Sequence, residues 1–496
     1  MDKDLKGRSV RAGAVTLSSQ FAQFVLQTGS TVVLARLLVP DDFGVVAMAL
    51  TFTAFANILK DAGLSSATIQ RADLTGAQVN TMFWINAAVG IILTVAVAAV
   101  GPLLAWFYRR PELLWINLAL SASFFIDSLG IQHSALLNRE MRFRALALTQ
   151  VGGLLIGVIV AITAAMTGWS YWALVVRSLV TSFTSVVLLW IYSNWRPGRP
   201  AMASGVRSLL HFGANVTGFN VVNYFSRNFD SILVGRVCGA GPLGFYSRAY
   251  SLLMLPISQL RNPLNAVAFP AMSQLQSHPG RFRRYFKKYT SVLAFASMPV
   301  AAFLFICSDQ VIRLLLGPQW DPAGGIFRVL AITAFIQPVL SLNGLVMLSM
   351  GQSRRYFKWG VINAAFTVAG FSIGIHWGPT GVAAAYAMVT YALVFPLLSY
   401  SFKGTALTVA DFLGSVANPA GASLVAAGVA WIVKNQVPSG HVLLTLLGCG
   451  TAFVAAYLAV FAVLPGGRGE LKEHCSHVSL LLANRLQKPA PTGAVK

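Results

Sequence analysis

Apolar runs long enough to cross a bilayer recur along almost the whole chain, and no other feature limits the fold as strongly. They can be read near residues 13–34, 43–64, 82–107, 113–134, 145–166, 169–192, 209–234, 243–268, 289–308, 325–350, 357–376, 380–400, 416–433 and 441–464. About 20 residues of helix cover the hydrocarbon layer, so the pattern predicts an all-α polytopic membrane protein of about 14 transmembrane helices. Only 10% of residues are charged and 56% are hydrophobic, against roughly a quarter charged in soluble domains.

The net charge of +22 would suggest nucleic acid, but the placement of the cations argues otherwise. With the N-terminus inside, the inner segments hold 26 of the 37 Lys and Arg and the outer segments six, with five inside spans. That bias predicts cytoplasmic N- and C-termini and an even number of spans, and assigns the charge to topology and anionic lipid. The basic start runs into a long apolar stretch without a small-residue cleavage pattern, which predicts an uncleaved first helix. Cys238, Cys307, Cys449 and Cys475 are dispersed and suggest no disulfide framework. No Gly-Lys dipeptide occurs, which excludes a Walker-type phosphate loop and disfavours an ATP-driven exporter.

Two spans 200 residues apart carry the same polar stripe. Gln20, Gln23, Gln27 and Ser30 are matched by Asn220, Asn223, Arg227 and Asp230, each set on one helix face. The match continues from Thr31–Arg36 to Ser231–Arg236, and Gly44 pairs with Gly244. Hydrocarbon cannot satisfy such a face, so it should look onto another helix or a wet cavity. The break at Pro197, Gly198 and Pro200 marks a cytoplasmic linker. The expected organisation is an N-terminal lobe of six helices (1–192), the linker (193–208), a C-terminal six-helix lobe (209–400), two further helices (401–464) and a cytoplasmic tail (465–496). Six spans per lobe re-enter the membrane in the same sense, giving a parallel repeat. In the tail, Leu471, Cys475, Val478, Leu482 and Leu486 predict a helix lying on the inner surface.

Several stretches are more specific than periodicity. Ala35–Gly44 (ARLLVPDDFG), Asp61–Arg71 (DAGLSSATIQR), Phe83–Asn86 (FWIN), Leu136–Phe143 (LLNREMRF) and Tyr171–Leu174 (YWAL) resemble the polysaccharide transporter family, the Wzx-type oligosaccharide flippases of the MOP superfamily. So do Asn223–Asp230 (NYFSRNFD), Leu243–Tyr250 (LGFYSRAY), Pro270–Ser273 (PAMS) and Leu316–Trp320 (LGPQW). The likeness covers roughly residues 8 to 360. It implies a MATE-like, two-lobed transporter in the bacterial inner membrane. The implied cargo is an undecaprenyl-diphosphate-linked oligosaccharide moved from the inner to the outer leaflet, for exopolysaccharide, lipopolysaccharide or capsule synthesis. A polysaccharide polymerase and a chain-length regulator are the implied partners, and neither a cofactor nor nucleic acid is expected. A MATE-like ion-coupled exporter of small molecules and a membrane polymerase or ligase are the alternatives. The first would call for an anionic lumen, the second for a large outer loop, and the sequence offers neither.

An anionic diphosphate with a wet sugar head calls for cations and amides, and arginine's planar fork suits phosphate oxygens. Arg227 is the leading candidate, alone or in an i,i+3 pair with Asp230 that opens to cargo. Arg248 is next. Gln20, Gln23, Gln27, Asn220 and Asn223 suit sugar hydroxyls or, equally, helix–helix contacts. Arg36 and Arg236 stand at helix ends, where they either snorkel to headgroups or line a mouth. Asp127 and Arg177 lie within spans and suggest mutual pairing or, with Asp230, ion coupling; Arg261 and Arg328 are expected to snorkel. The histidines lack ligand spacing, and His474-Cys475-Ser476-His477 has no second cluster, so no metal site is expected.

Overall fold

The computed structural model describes residues 3–60, 68, 75–200, 228–437, 441–464 and 469. Every regular element among them is helical. The chain divides into two compact units. The first holds the described residues up to Ser247 with Leu315–Trp320 and Phe371–Val382, and the second holds the remainder.

In the first unit α1 (Lys3–Leu37), α2 (Pro40–Lys60), α3 (Gly76–Tyr108), α4 (Glu112–Arg139), α5 (Phe143–Met166) and α6 (Trp172–Tyr192) follow one another through short turns. A helix over 228–238, α7, leads into the start of α8 (Ala240–Gln274). The second unit takes the rest of α8, then α9 (Pro279–Ile306), α10 (Ser308–Leu315), α11 (Asp321–Leu340) and α12 (Leu342–Ser349). It continues through α13 (Ser353–Gly374), α14 (Gly378–Ala392), α15 (Val394–Phe402), α16 (Val409–Gln436) and α17 (Val442–Val463).

Among the described residues, nine helical stretches are long and apolar enough to cross a membrane. Their packing is that of helices in lipid, with small residues inside and large apolar ones outside. On α5 the buried face is Ala145, Thr149, Gly153, Gly157, Ala161, Ala164 and Ala165, with Val158, while Leu148, Leu155, Ile159 and Met166 are exposed. Without a hydrophobic drive between helices, close backbone approach and van der Waals contact hold them together. Accordingly, a Cβ at Gly153 would run into Ser185 and one at Gly157 into Thr181 of α6. Proline shapes two of the expected spans. The run 325–350 is interrupted at Ser341, three residues after Pro338, and 380–400 at Leu393, three before Pro396. A proline removes a backbone donor and crowds the preceding turn. Pro256, by contrast, is absorbed within a continuous α8.

Helix ends are closed by side chains. Thr75 and Gln78 form a capping box at α3 (3.3 and 3.1 Å), and Thr408 and Asp411 form one at α16. Asp411 also takes a bidentate pair from Arg283, at 2.7 and 2.9 Å, which ties α9 to α16. The first half of the expected linker is pinned to α3. Gly198 accepts from Trp84 Nε1 (2.9 Å), and its N–H donates to Asn80 (3.1 Å). The expected tail helix, the rest of the linker and the His474–His477 segment lie outside the described residues.

Candidate functional site

The α1 stripe straddles two environments. Gln23 donates to Gln150 of α5 across 3.0 Å, Ser30 is buried, and Gln20 and Gln27 are exposed. Hydrocarbon offers an exposed amide no partner, so on the membrane-spanning helix expected here this half of the stripe would face water or ligand. Gln150 is a position the sequence reading did not single out. Its signal was slight: it is the one side-chain amide in the 24 residues of α5.

Asn220, Asn223 and Arg227 lie outside the described residues, so the expected Arg227–Asp230 pair does too. Asp230 itself is buried. Its carboxylate accepts from Tyr246 Oη at 2.7 Å and from the Ser231 N–H at 2.7 Å, which fixes α7 against the start of α8. Arg248 is half-buried two residues beyond Tyr246 on α8.

Arg36 is exposed at the end of α1. Beside it, Gln319 donates to the carbonyls of Ala35 (2.5 Å) and Leu38 (3.0 Å), and Trp320 Nε1 donates to Ala35 (2.8 Å). These bonds satisfy carbonyls that a helix C-terminus leaves without partners. Trp320 is wholly buried, edge-on to Phe43 and Phe245. Arg236 does not simply reach for headgroups; its guanidinium lies 5.5 Å from the Phe107 ring centroid, a cation–π contact.

Asp127 is not the partner of Arg177. It binds Lys60 at the end of α2, 2.9 Å away, because α2 runs on far enough to bring that ammonium beside α4. Arg177 is half-buried on α6 and makes no ion pair among the described residues. Arg328, expected to snorkel, instead binds Asp309 and donates to Ser308 (3.0 Å). Among the described residues no group of three or more His, Cys, Asp and Glu side chains is placed to hold a metal.

The two repeat-matched glycines come together. A Cβ at Gly44 would collide with the Ala240 carbonyl and one at Gly244 with the Pro40 carbonyl. Exchanging equivalent positions, 44 for 244 and 240 for 40, turns the first contact into the second. The starts of α2 and α8 thus meet through equivalent surfaces, as two-fold related segments do. Asp41 and Arg110 pair nearby (3.0 Å), and Asp42 accepts from the Ser170 hydroxyl.

Comparison with known proteins places this arrangement. Over 377 residues the chain is 28% identical to the teichuronic acid biosynthesis protein TuaB of Bacillus subtilis, covering 74% of this chain and 77% of that protein. It is 25% identical to the lipopolysaccharide biosynthesis protein WzxC of Escherichia coli (75% and 78% covered). With the succinoglycan biosynthesis transport protein ExoT of Rhizobium meliloti the identity is 24% (72% of each). Among solved structures, the lipid II flippase MurJ in an inward closed conformation superposes with a TM-score of 0.72 at 15% identity, over 90% of this chain and 98% of that one. An inward-facing MATE-family multidrug resistance transporter of the MOP superfamily gives 0.60 at 14% identity, over 80% and 95%. The structural likenesses show a fold shared with MurJ and with that transporter. The polysaccharide biosynthesis protein family matches residues 33–325, more than half of the chain, and the protein belongs to that family.

Proposed function

We propose that the protein is a flippase for undecaprenyl-diphosphate-linked oligosaccharide, carrying repeat units from the inner to the outer leaflet of a bacterial inner membrane by alternating access. The observation that carries the reading is the amide stripe of α1. In a MOP-fold protein of the polysaccharide biosynthesis family, Gln20 and Gln27 stand exposed within an apolar helix, where only water or a polar cargo can satisfy them. TuaB, WzxC and ExoT are by name polysaccharide biosynthesis or transport proteins, and MurJ is named a flippase. Transport of this kind makes and breaks no covalent bond.

In this reading residues 1–192 and 209–400 are two lobes in parallel repeat, 401–464 adds two helices, and both termini are cytoplasmic. Arg227 and Arg248 take the diphosphate; Gln20, Gln23, Gln27, Asn220 and Asn223 take sugar; Arg36 and Arg236 line the outer mouth. Asp230, held by Tyr246, is three residues from Arg227 in the sequence, and Asp127, Arg177 and Asp230 are the groups to test for ion coupling. A polymerase and a chain-length regulator receive the product. The family and the arginines within spans favour this over export of cationic small molecules.

Deleting the protein is expected to leave undecaprenyl-linked repeat units in the inner leaflet. Arg227→Ala is expected to impair export at normal protein abundance, and Arg227→Lys to restore it only in part, because an ammonium lacks the bidentate fork. Normal export by the alanine variant would remove Arg227 from the cargo path; absence of accumulated intermediates on deletion would remove the flippase reading.

A further inference from the structure

We infer that Gln150, with Gln23, forms a subsite for the uncharged sugar portion of the cargo, an inference that rests on the flippase reading above. The two amides share a single hydrogen bond, Gln23 Nε2 to Gln150 Oε1, on an exposed part of the α1–α5 pair. Each amide has two N–H donors and a carbonyl acceptor. After that bond the pair retains three N–H donors and three carbonyl lone pairs, two on Gln23 Oε1 and one on Gln150 Oε1. The count is the same if the donor and acceptor roles are exchanged.

Their direction matters as much as their valence. On α5 the exposed apolar ridge of Leu148, Leu155, Ile159 and Met166 lies between about 140° and 180° around the helix from Gln150, at 100° per residue. On α1 the exposed Phe21 and Val25, beside Gln23 in sequence, lie about 160° from it by the same count, Gln20 and Gln27 lie within about 60° of it, and the exposed Val33 and Leu37 come round to the amide side only two to four turns further on. At the level of the Gln23–Gln150 bond, each helix thus carries its amide away from its neighbouring exposed apolar side chains. Gln20, Gln23 and Gln27 share one side of α1, and Gln23 reaches from it to Gln150 on α5.

That chemistry selects the part of the cargo it meets. Neighbouring hydroxyls on a sugar ring both donate and accept, and a pair of amides with donors and an acceptor side by side matches them. A diphosphate only accepts, and is better served by cations. If the pair served only to hold α1 on α5, its one bond would complete its role and the remaining donors would be irrelevant to binding.

The test uses the full-length protein in lipid nanodiscs and two probes, undecaprenyl diphosphate and undecaprenyl diphosphate bearing a neutral disaccharide. Gln150→Leu is expected to weaken binding of the glycosylated probe about tenfold, the loss of one or two hydrogen bonds, and to leave the bare carrier unchanged. Gln150→Ala and Gln23→Leu are made in parallel, and the same selective loss is expected of each variant that keeps the wild-type melting temperature. Equal affinity of these variants for the glycosylated probe, or an equal loss for both probes, overturns the subsite. Wild-type protein that binds neither probe instead overturns the flippase reading on which the subsite rests.

Discussion

Lys60 and Asp127, 67 residues apart in sequence, meet at 2.9 Å with side chains 21% and 27% exposed. A pair so placed is partly screened, and its loss is expected to cost about 1 kcal/mol. Lys60→Asp and Asp127→Lys should each lower the melting temperature in detergent, and the two together should recover most of it. A double variant no better than the worse single one would show that the pairing contributes nothing. The sequence displayed both residues but not their partnership. It gave Lys60 no partner and offered Arg177 to Asp127, because spacing along one helix says nothing about the depth at which another helix ends. The same holds for Asp230, whose Tyr246 partner stands on the next helix, and for Arg236, whose ring partner Phe107 is far away in sequence. What was legible at this scale was residue type: an apolar span that carries Gln20, Gln23 and Gln27 has to put them somewhere polar.

Between elements, the crossing of α5 on α6 shows how little side chain a membrane interface requires. Gly153 and Gly157 admit Ser185 and Thr181, and added Cβ atoms would also lie 3.0 Å from the backbone carbonyls of Thr181 and Arg177. Backbone cannot step aside as a flexible side chain can. Gly157→Val is therefore expected to cost about 1–3 kcal/mol by overpacking, read as reduced abundance and a lower melting temperature, whereas the same substitution at Gly168, which meets nothing within 4 Å but has φ +83°, would act through backbone strain alone. An unchanged melting temperature for Gly157→Val would mean that α6 is not seated on α5 in this way. Glycine content along 143–166 was visible in the sequence, and so were the helices themselves, since apolar length specifies a span almost independently of context. The positions of the breaks were less so. Pro338 and Pro396 sit close to irregularities and Pro256 does not, because neighbouring packing decides whether a freed carbonyl is re-satisfied.

For the molecule as a whole, the internal repeat was the most informative pattern, and the mutual seating of Gly44 on Ala240 and Gly244 on Pro40 gives its first halves a point of contact. Gly44→Ala and Gly244→Ala are expected to destabilise by similar amounts, about 1–3 kcal/mol each, and the double variant by less than their sum. Once one methyl has separated the two helix starts, the second finds room, and contacting residues couple in this manner. Strict additivity in melting temperature would argue that the two contacts are independent. The sequence paired these glycines as equivalent positions; that equivalent positions also touch follows only from the fold. It carries an evolutionary consequence. If the two segments descend from one, a half-length ancestor dimerising with itself would have set each glycine here against the residue four positions earlier in its partner, and a single mutation would have struck both sides of the seam at once. Fusion of the copies split that liability, leaving each glycine accountable to a different neighbour and free, in principle, to be lost alone.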